Sequence, residues 1–172
     1  GYFRGWYVGS PHSTNNEEEL LRKEGERASI THAPVLDPSR RYISRSETDD
    51  FSHWPEPSLV LAPDSQDPIQ DDFYIPGYVP YPSNPLFHLM FVTVYHRIVD
   101  RFDTQLAVSR NGIFWTRPER KPIIPLGPAG SREEGMINAV ANPDGLMPFG
   151  KDRWAIAYNR SPWPHKNRQQ RK

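Results

Sequence analysis

Apolar and aromatic residues along the chain form short runs that are separated by residues typical of turns. The longest apolar run lies between Leu86 and Val94 and is far shorter than the roughly 20 residues that a membrane-spanning helix needs. Nineteen prolines and eleven glycines punctuate the chain. Frequent turns between short aromatic and aliphatic runs are typical of β-strands. The pattern therefore predicts an all-β chain with no membrane partner.

Two stretches, 44–61 and 109–126, repeat one pattern. Each has a Ser-Arg strand, a polar turn, a tryptophan, a proline-bearing connection and a short apolar strand. The first serines are 65 residues apart (109 − 44), and the tryptophans, Trp54 and Trp115, are 61 apart (115 − 54). We expect both tryptophans to pack between repeats.

Two further elements recur: an aromatic strand followed by histidine, and an acidic pair followed by an apolar strand. The aromatic strands are Trp6–Val8, Phe91–Tyr95 and Trp154–Tyr158, and the acidic pairs are Asp71-Asp72 and Glu133-Glu134. Four antiparallel strands per repeat are typical of a β-propeller blade. The order predicts a partial blade over 1–61, a complete blade over 71–126 and the start of the next over 133–165. A capping-box pattern predicts a short surface helix over 17–25.

Charge and cysteine content narrow the classes of partner. The chain carries 21 basic and 21 acidic residues, so no net field attracts it to nucleic acid or to an anionic membrane. It has no cysteine, which excludes disulfides and thiolate chemistry but leaves the cellular compartment open, with an extracellular or periplasmic location favoured. We therefore expect no nucleic-acid partner.

Phrases within 45–74 and 105–136, such as Ser-Glu-Thr-Asp-Asp-Phe-Ser-His-Trp-Pro and Glu-Glu-Gly-Met-Ile, resemble the five-bladed β-propeller glycoside hydrolases of families 32 and 43. They look closest to an uncharacterised bacterial group of that kind. The resemblance implies a five-bladed propeller, of which this chain forms about two and a half blades and the remaining blades are its partners. The Asn-Asp-Pro-Asn and Arg-Asp-Pro signatures of family 32 do not occur, and the first inner strand lies outside this sequence.

The resemblance also implies a site for a carbohydrate substrate. Such enzymes carry aspartates on the first two inner strands and a glutamate on a later blade, around a central funnel. Glycoside hydrolysis requires one carboxyl group as an acid and another as nucleophile or base. By position Asp72 matches the second aspartate and Glu134 the acid, with Glu133 as the other candidate because alternate residues of a strand face opposite ways. Residues expected to bind substrate are Asp71, Tyr74, His96, Arg97 and His165.

Other interpretations of the same residues stay open. Acidic pairs before a strand are commonly plain loop residues, and a propeller without catalysis serves as a carbohydrate-binding or protein-interaction module. No His-x-His or His-Glu-x-x-His spacing and no phosphate loop occurs. We therefore expect no cofactor and no catalytic metal, while a structural cation on the propeller axis, as in similar propellers, is left open.

Overall fold

A computed structural model describes the backbone of residues 3–8 and all atoms of residues 40–139 and 146–166. The described secondary structure consists of β-strands, as the sequence predicts, and these ranges contain no helix long and apolar enough to cross a bilayer. The helix predicted over 17–25 lies outside the described residues. The chain divides into two compact units, Gly1–Tyr74 and Ile75–Lys172.

The first unit contains a three-stranded antiparallel sheet of order β1-β2-β3. Strand β1 (Phe3–Val8) pairs along its whole length with β2 (Ile43–Thr48), and β2 pairs with the short β3 (Ser58–Leu61) across a register shift next to Ile43. The side chain of Ile43 is fully buried. The predicted Ser-Arg strand and short apolar strand are therefore neighbours in one sheet.

The start of strand β4 (Asp71–Pro80) is tied to the residues that precede β2. Arg40 Nε donates to the carbonyl of Asp71 at 2.9 Å, and the backbone N–H of Arg41 donates to Asp72 Oδ1 at 3.0 Å. The N–H of Phe73 donates in turn to the carbonyl of Arg41 at 3.2 Å. Both acids at the start of β4 consequently take part in the packing of the first unit.

A long hairpin dominates the second unit. Strands β5 (His88–His96) and β6 (Arg101–Ser109) pair over nine positions, from His88 opposite Ser109 to His96 opposite Arg101. Nearly every residue of β5 is buried, so the strand is covered on both faces, as its almost continuous apolar run predicts. Strand β7 (Pro122–Ile124) extends the sheet along β6.

Strand β8 (Met136–Ala139) follows the hairpin and lies across it. It touches β6 through a parallel bridge between Phe102 and Met136. Thr104 Oγ1 then donates to the carbonyl of Ile137 at 3.2 Å and accepts from the N–H of Ala139 at 3.1 Å. A threonine hydroxyl therefore replaces ladder hydrogen bonds where the strands diverge, which satisfies the buried backbone of β8.

Gly77 of β4 is a point of close approach between backbones in this unit. A Cβ atom there would lie 2.8 Å from the carbonyl oxygen of Ala139 and 2.9 Å from that of Phe91. Val79, Phe91 and Ala139 form a buried cluster beside it. The close packing of β8 over the sheet therefore requires a residue without a side chain at position 77.

The last predicted aromatic strand is wrong in position. The structure divides residues 154–158 between β10 (Trp154–Ala155), which pairs with β9 (Met147–Pro148), and β11 (Tyr158–Ser161), which pairs with β8. The strand that joins the sheet therefore begins at the end of the aromatic run. Strand β11 is mostly exposed, so its pairing with β8 does not depend on burial of an apolar face.

Two turns, one in each unit, share one hydrogen-bond scheme. Asp50 Oδ1 accepts from the N–H groups of Ser52 (2.8 Å) and His53 (2.9 Å), and Thr48 Oγ1 donates to it. In the second unit, Asn111 Oδ1 accepts in the same way from the N–H groups of Ile113 and Phe114 and from Ser109 Oγ. Counterparts are 61 residues apart (111 − 50), the spacing of the two tryptophans. The equivalent of Ser109 is therefore Thr48, and not Ser44 as the sequence pattern indicates.

The two equivalent tryptophans differ in burial. Trp115 is 6% exposed and packs edge-on against Tyr78 and His88, which belong to the same predicted blade (71–126). It is therefore a packing residue, while the predicted packing between repeats stays a prediction. Trp54 is 44% exposed, contrary to the expectation of packing. The all-β fold, with β8 laid across the preceding hairpin and with recurring turns, is consistent with a fragment of a β-propeller.

Candidate functional site

One end of the second unit gathers most of its predicted site residues. We call it the polar end and define it by three segments: the β5–β6 turn and its flanks (96–103), the residues before β8 (133–135), and the residues after β11 (161–166). Backbone hydrogen bonds join the segments, since Gly135 accepts from Phe102 and donates to Ser161, and His165 donates to Asp100. Every predicted site residue of this unit lies here, namely His96, Arg97, Glu133, Glu134 and His165.

His96 and Asp103 form a hydrogen-bonded pair at this end. His96 Nε2 lies 2.8 Å from Asp103 Oδ2, with side chains 25% and 8% exposed respectively. Asp103 Oδ1 is buried and has no hydrogen-bond partner among the described residues. The aspartate is therefore enclosed, and the imidazole is the member of the pair that reaches solvent. A carboxylate that holds one ring nitrogen fixes the orientation of the ring, so Asp103 is a positioning residue for His96.

Glu134, the expected acid, is held by two donors. Arg101 Nη2 donates to Glu134 Oε1 at 3.1 Å, and the N–H of Gly130 donates to Glu134 Oε2 at 2.7 Å. Arg101 stands opposite His96 in the β5–β6 ladder, so this contact links the glutamate to the His96–Asp103 pair. Both carboxylate oxygens accept hydrogen bonds, so the orientation of the carboxylate is fixed from two sides.

Glu133 points to a different partner. Its Oε1 accepts from Arg160 Nη1 of β11. This hydrogen bond, and then the negative charge of Glu133, raise the pKa of Arg160. The two neighbouring glutamates therefore contact different strands, as the alternation of side chains predicts.

His165 is built into an aromatic cluster. Its ring lies edge-on to Tyr95 (5.3 Å between centroids) and Phe102 (4.7 Å). Asp100, which has a positive φ of 55°, accepts from the Tyr95 hydroxyl at 2.7 Å and from the N–H of Lys166 at 2.8 Å. These contacts fix the segment after β11 against the β5–β6 turn. His165 therefore has a packing role here in addition to the predicted contact with substrate.

The remaining predicted site residues belong to the first unit. Asp72 is 1% exposed, and its Oδ2 pairs with Arg41 Nη1 at 3.0 Å. The same guanidinium lies over the ring of Tyr74, 4.8 Å from its centroid. Asp71 is also buried. Each of these side chains has a structural contact within its own unit.

Metal binding finds no support in the described ranges. Within 40–139 and 146–166, no group of three or more His, Asp or Glu side chains is arranged to hold a metal ion. The paired acids are instead occupied by arginines, as described for Asp72, Glu133 and Glu134.

Asp103 is the residue of the polar end that the sequence analysis missed. It stands in a strand whose positions 102–105 are all buried, although three of these four residues are polar. Asp103 lies near the start of β6, and it follows His96, at the end of β5, by seven residues. A charged residue at this distance from a histidine, on the other strand of a tight hairpin, is the signal that identifies it. That signal is visible only when the β5–β6 register is known.

Comparisons with known proteins support the fold. No protein-family model matches the chain, and no curated protein matches it. A solved structure, described as the "Crystal structure of an N-acetylgalactosamine deacetylase from F. plautii in complex with blood group B trisaccharide", is similar with a TM-score of 0.52 and 18% sequence identity. The match covers 79% of this chain and 31% of that chain, so this chain corresponds to less than two thirds of the neighbour's length. At this identity the likeness concerns the fold alone, and the resemblance to families 32 and 43 stays a prediction.

Proposed function

We propose that this protein is part of a five-bladed β-propeller that acts on carbohydrate as a glycoside hydrolase. The observation that carries the proposal is the enclosed Asp103, which holds His96 at the same end of the sheet as Glu134. Buried ionisable groups are costly to a fold, and they are enriched at functional sites for that reason.

The chemistry divides between a proton carrier and a carboxylate. Hydrolysis of a glycosidic bond requires protonation of the leaving oxygen and a carboxylate that attacks the anomeric carbon or activates water. His96 is a side chain of the polar end whose type exchanges protons near neutral pH, whereas the other histidine there, His165, is packed against Tyr95 and Phe102. Glu134, which is fixed by Arg101 and Gly130, is proposed here for the carboxylate role instead of the acid role that the resemblance implies. The role predicted for Asp72 of the first unit stays a prediction.

Two considerations favour carbohydrate as the substrate. The solved structure with a similar fold is named as a deacetylase of N-acetylgalactosamine and was crystallised with a trisaccharide. The polar end also combines hydrogen-bonding side chains with exposed or half-exposed rings, such as Trp163 and His165. Sugars are bound by this combination, because their hydroxyls pair with polar groups while their C–H faces contact rings. No cofactor is part of the proposed reaction.

Replacement of Glu134 by glutamine tests the assignment. We expect Glu134→Gln to lower kcat by about a hundredfold or more on any glycoside that the full-length protein hydrolyses, since the substitution removes the charge but keeps the shape. Glu133→Gln is the matched control, because it breaks only the half-exposed pair with Arg160. Reducing-sugar release from glycans and from aryl glycosides is the measurement. Equal turnover by the wild type and Glu134→Gln would remove the assignment.

A non-catalytic carbohydrate-binding module is the second candidate. It is favoured by the arginine partners of Glu133, Glu134 and Asp72, which leave these acids in structural ion pairs. In that case calorimetry with oligosaccharides gives a binding isotherm while no product appears after long incubation. Binding that persists in Glu134→Gln without any turnover in the wild type would select this candidate.

A further inference from the structure

An exposed loop of the first unit presents two aromatic rings to solvent. Residues 49–56 are exposed without interruption, and they include Phe51 (59% exposed) and Trp54 (44%). We call residues 48–56 the Phe51 turn. The two rings meet edge to face, with 6.1 Å between centroids. The site described above does not involve these residues.

The Phe51 turn is held rigid by its own hydrogen bonds. Asp50 gathers the backbone of Ser52 and His53, as described under the fold. Trp54 Nε1 donates to the carbonyl of Phe51 at 3.1 Å, and Ser46 Oγ donates to the carbonyl of Pro55 at 2.7 Å. The indole is thus fixed through its only polar atom. A preorganised surface loses little conformational entropy on binding.

The backbone at Phe51 is strained for a bulky residue. Its φ is +59°, in the left-handed region, and the equivalent residue of the other turn is Gly112 with φ +69°. Glycine occupies this region freely, whereas a residue with a large side chain is destabilised there. The first turn therefore has Phe51 at a position where the second turn has Gly112, the residue type that adopts this backbone conformation without strain.

The strain at Phe51 is not compensated by burial. In the second turn, Trp115 is buried (6% exposed), and the position with positive φ is occupied by Gly112. Packing of the tryptophan therefore does not require an aromatic residue at that position. In the first turn both rings remain largely in solvent. Backbone strain at exposed positions clusters where a side chain serves binding.

The charges around the rings indicate the class of ligand. Glu47, Asp49, Asp50 and Glu56 accompany a single histidine within 47–56, so the surface is acidic and disfavours sulfated or carboxylated ligands. The centre of a protein interface is depleted of charged residues, and these rings are surrounded by them. A neutral sugar suits a surface of aromatic rings surrounded by acidic side chains, since its C–H face packs on an aromatic ring while its hydroxyls donate to carboxylates. His53, 89% exposed and held through Nδ1 by Asp50, leaves Nε2 for a hydroxyl.

We propose that the Phe51 turn is a binding site for neutral polysaccharide, with the rings of Phe51 and Trp54 as its contact surface. None of its residues belongs to the polar end of the second unit. Only the choice of a sugar as ligand rests on the proposed function. The site holds a polymer at the protein surface while short substrates do not need it.

The test compares three variants of the full-length protein by affinity electrophoresis in gels that contain a soluble glucan, xylan, galactan or mannan. We expect Phe51→Gly and Trp54→Ala each to weaken retention by the bound polysaccharide about tenfold or more. Phe114→Ala is the matched control, because Phe114 is an exposed ring (48%) of the equivalent turn, and its retention should equal that of the wild type. Phe51→Gly should also melt at the same temperature as the wild type or about 2–4 °C higher, because it relieves the strain.

A gain or retention of stability together with a loss of binding separates a binding role from a structural one. If Phe51→Gly is retained as strongly as the wild type, or if none of the four polysaccharides retains the wild type, the inference is wrong. Hydrolysis of short oligosaccharides distinguishes this failure from that of the proposed function. That activity depends on Glu134 and is expected to be the same in Phe51→Gly and the wild type.

Discussion

Asp50 and Asn111 make equivalent hydrogen bonds in two turns, although one side chain is a carboxylate and the other an amide. Each accepts hydrogen bonds from the two N–H groups that follow it at i+2 and i+3. Only the aspartate also pairs with a histidine, His53, at 2.7 Å. The hydrogen bond from His53, followed by those from the backbone and Thr48, holds the pKa of Asp50 well below the usual range for a carboxyl group.

The lowered pKa of Asp50 predicts a pH-dependent contribution to stability. Because the folded-state pKa lies below the unfolded one, the contribution is fully present above about pH 4 and is lost as pH falls further. Asp50→Asn keeps the acceptor, as Asn111 shows, but has no such dependence. We expect the melting temperature of the wild type to exceed that of Asp50→Asn at pH 6 and the difference to shrink below pH 4. A difference that grows on acidification would contradict this explanation.

Individual residues show where sequence patterns succeed and where they do not. The acidic starts of β4 and of the segment before β8 are visible in the sequence, because an acidic pair followed by apolar residues is a local pattern. The partners of those acids are not, since Arg41 is 31 residues from Asp72 and Arg101 is 33 from Glu134. Asp103 was missed for the same reason. A role that depends on pairing register requires the fold.

At the scale of single strands, hydrophobic pattern predicts β5 well and β11 poorly. The apolar run of β5 is buried on both faces, so the pattern reflects its environment directly. Strand β11 is mostly exposed and pairs with β8 through backbone groups, which leave no trace in side-chain hydrophobicity. The aromatic residues before it therefore placed the predicted strand four residues too early (158 − 154).

Gly77 of β4 provides a test of how the strands pack. Gly77→Ala places a Cβ within 2.9 Å of two carbonyl oxygens, which backbone atoms cannot avoid by a change of rotamer. We expect a loss of about 2–3 kcal/mol in the free energy of unfolding, the cost of overpacking a close contact. Chemical denaturation monitored by tryptophan fluorescence measures it.

Gly130→Ala is the matched control for Gly77→Ala. Gly130 has φ +82°, but nothing lies within 4 Å of a Cβ at that position. Only the backbone conformation opposes the substitution, which costs about 1 kcal/mol. Equal losses for the two variants would show that strands β4 and β8 do not approach as closely as described.

At the scale of the whole molecule, charge balance limits the partners. With 21 basic and 21 acidic residues in the sequence, we expect no long-range attraction for polyanions. We expect no retention on heparin at an ionic strength of about 0.15 M, where fields beyond roughly 8 Å are screened. Fluorescence anisotropy with labelled duplex DNA is the second measurement. Binding that weakens steeply with added salt would show a basic surface that the balance of charges conceals.

The contact at Gly77 explains how a fold of this kind tolerates divergence. There the spacing between strands is set by main-chain atoms, which every sequence possesses, instead of by interlocking side chains. Neighbouring positions therefore tolerate the substitution of one apolar residue by another while the distance between the strands stays the same. A fold shared at 18% identity needs few contacts in which main-chain atoms set the distance between strands. A single glycine within a strand provides such a contact.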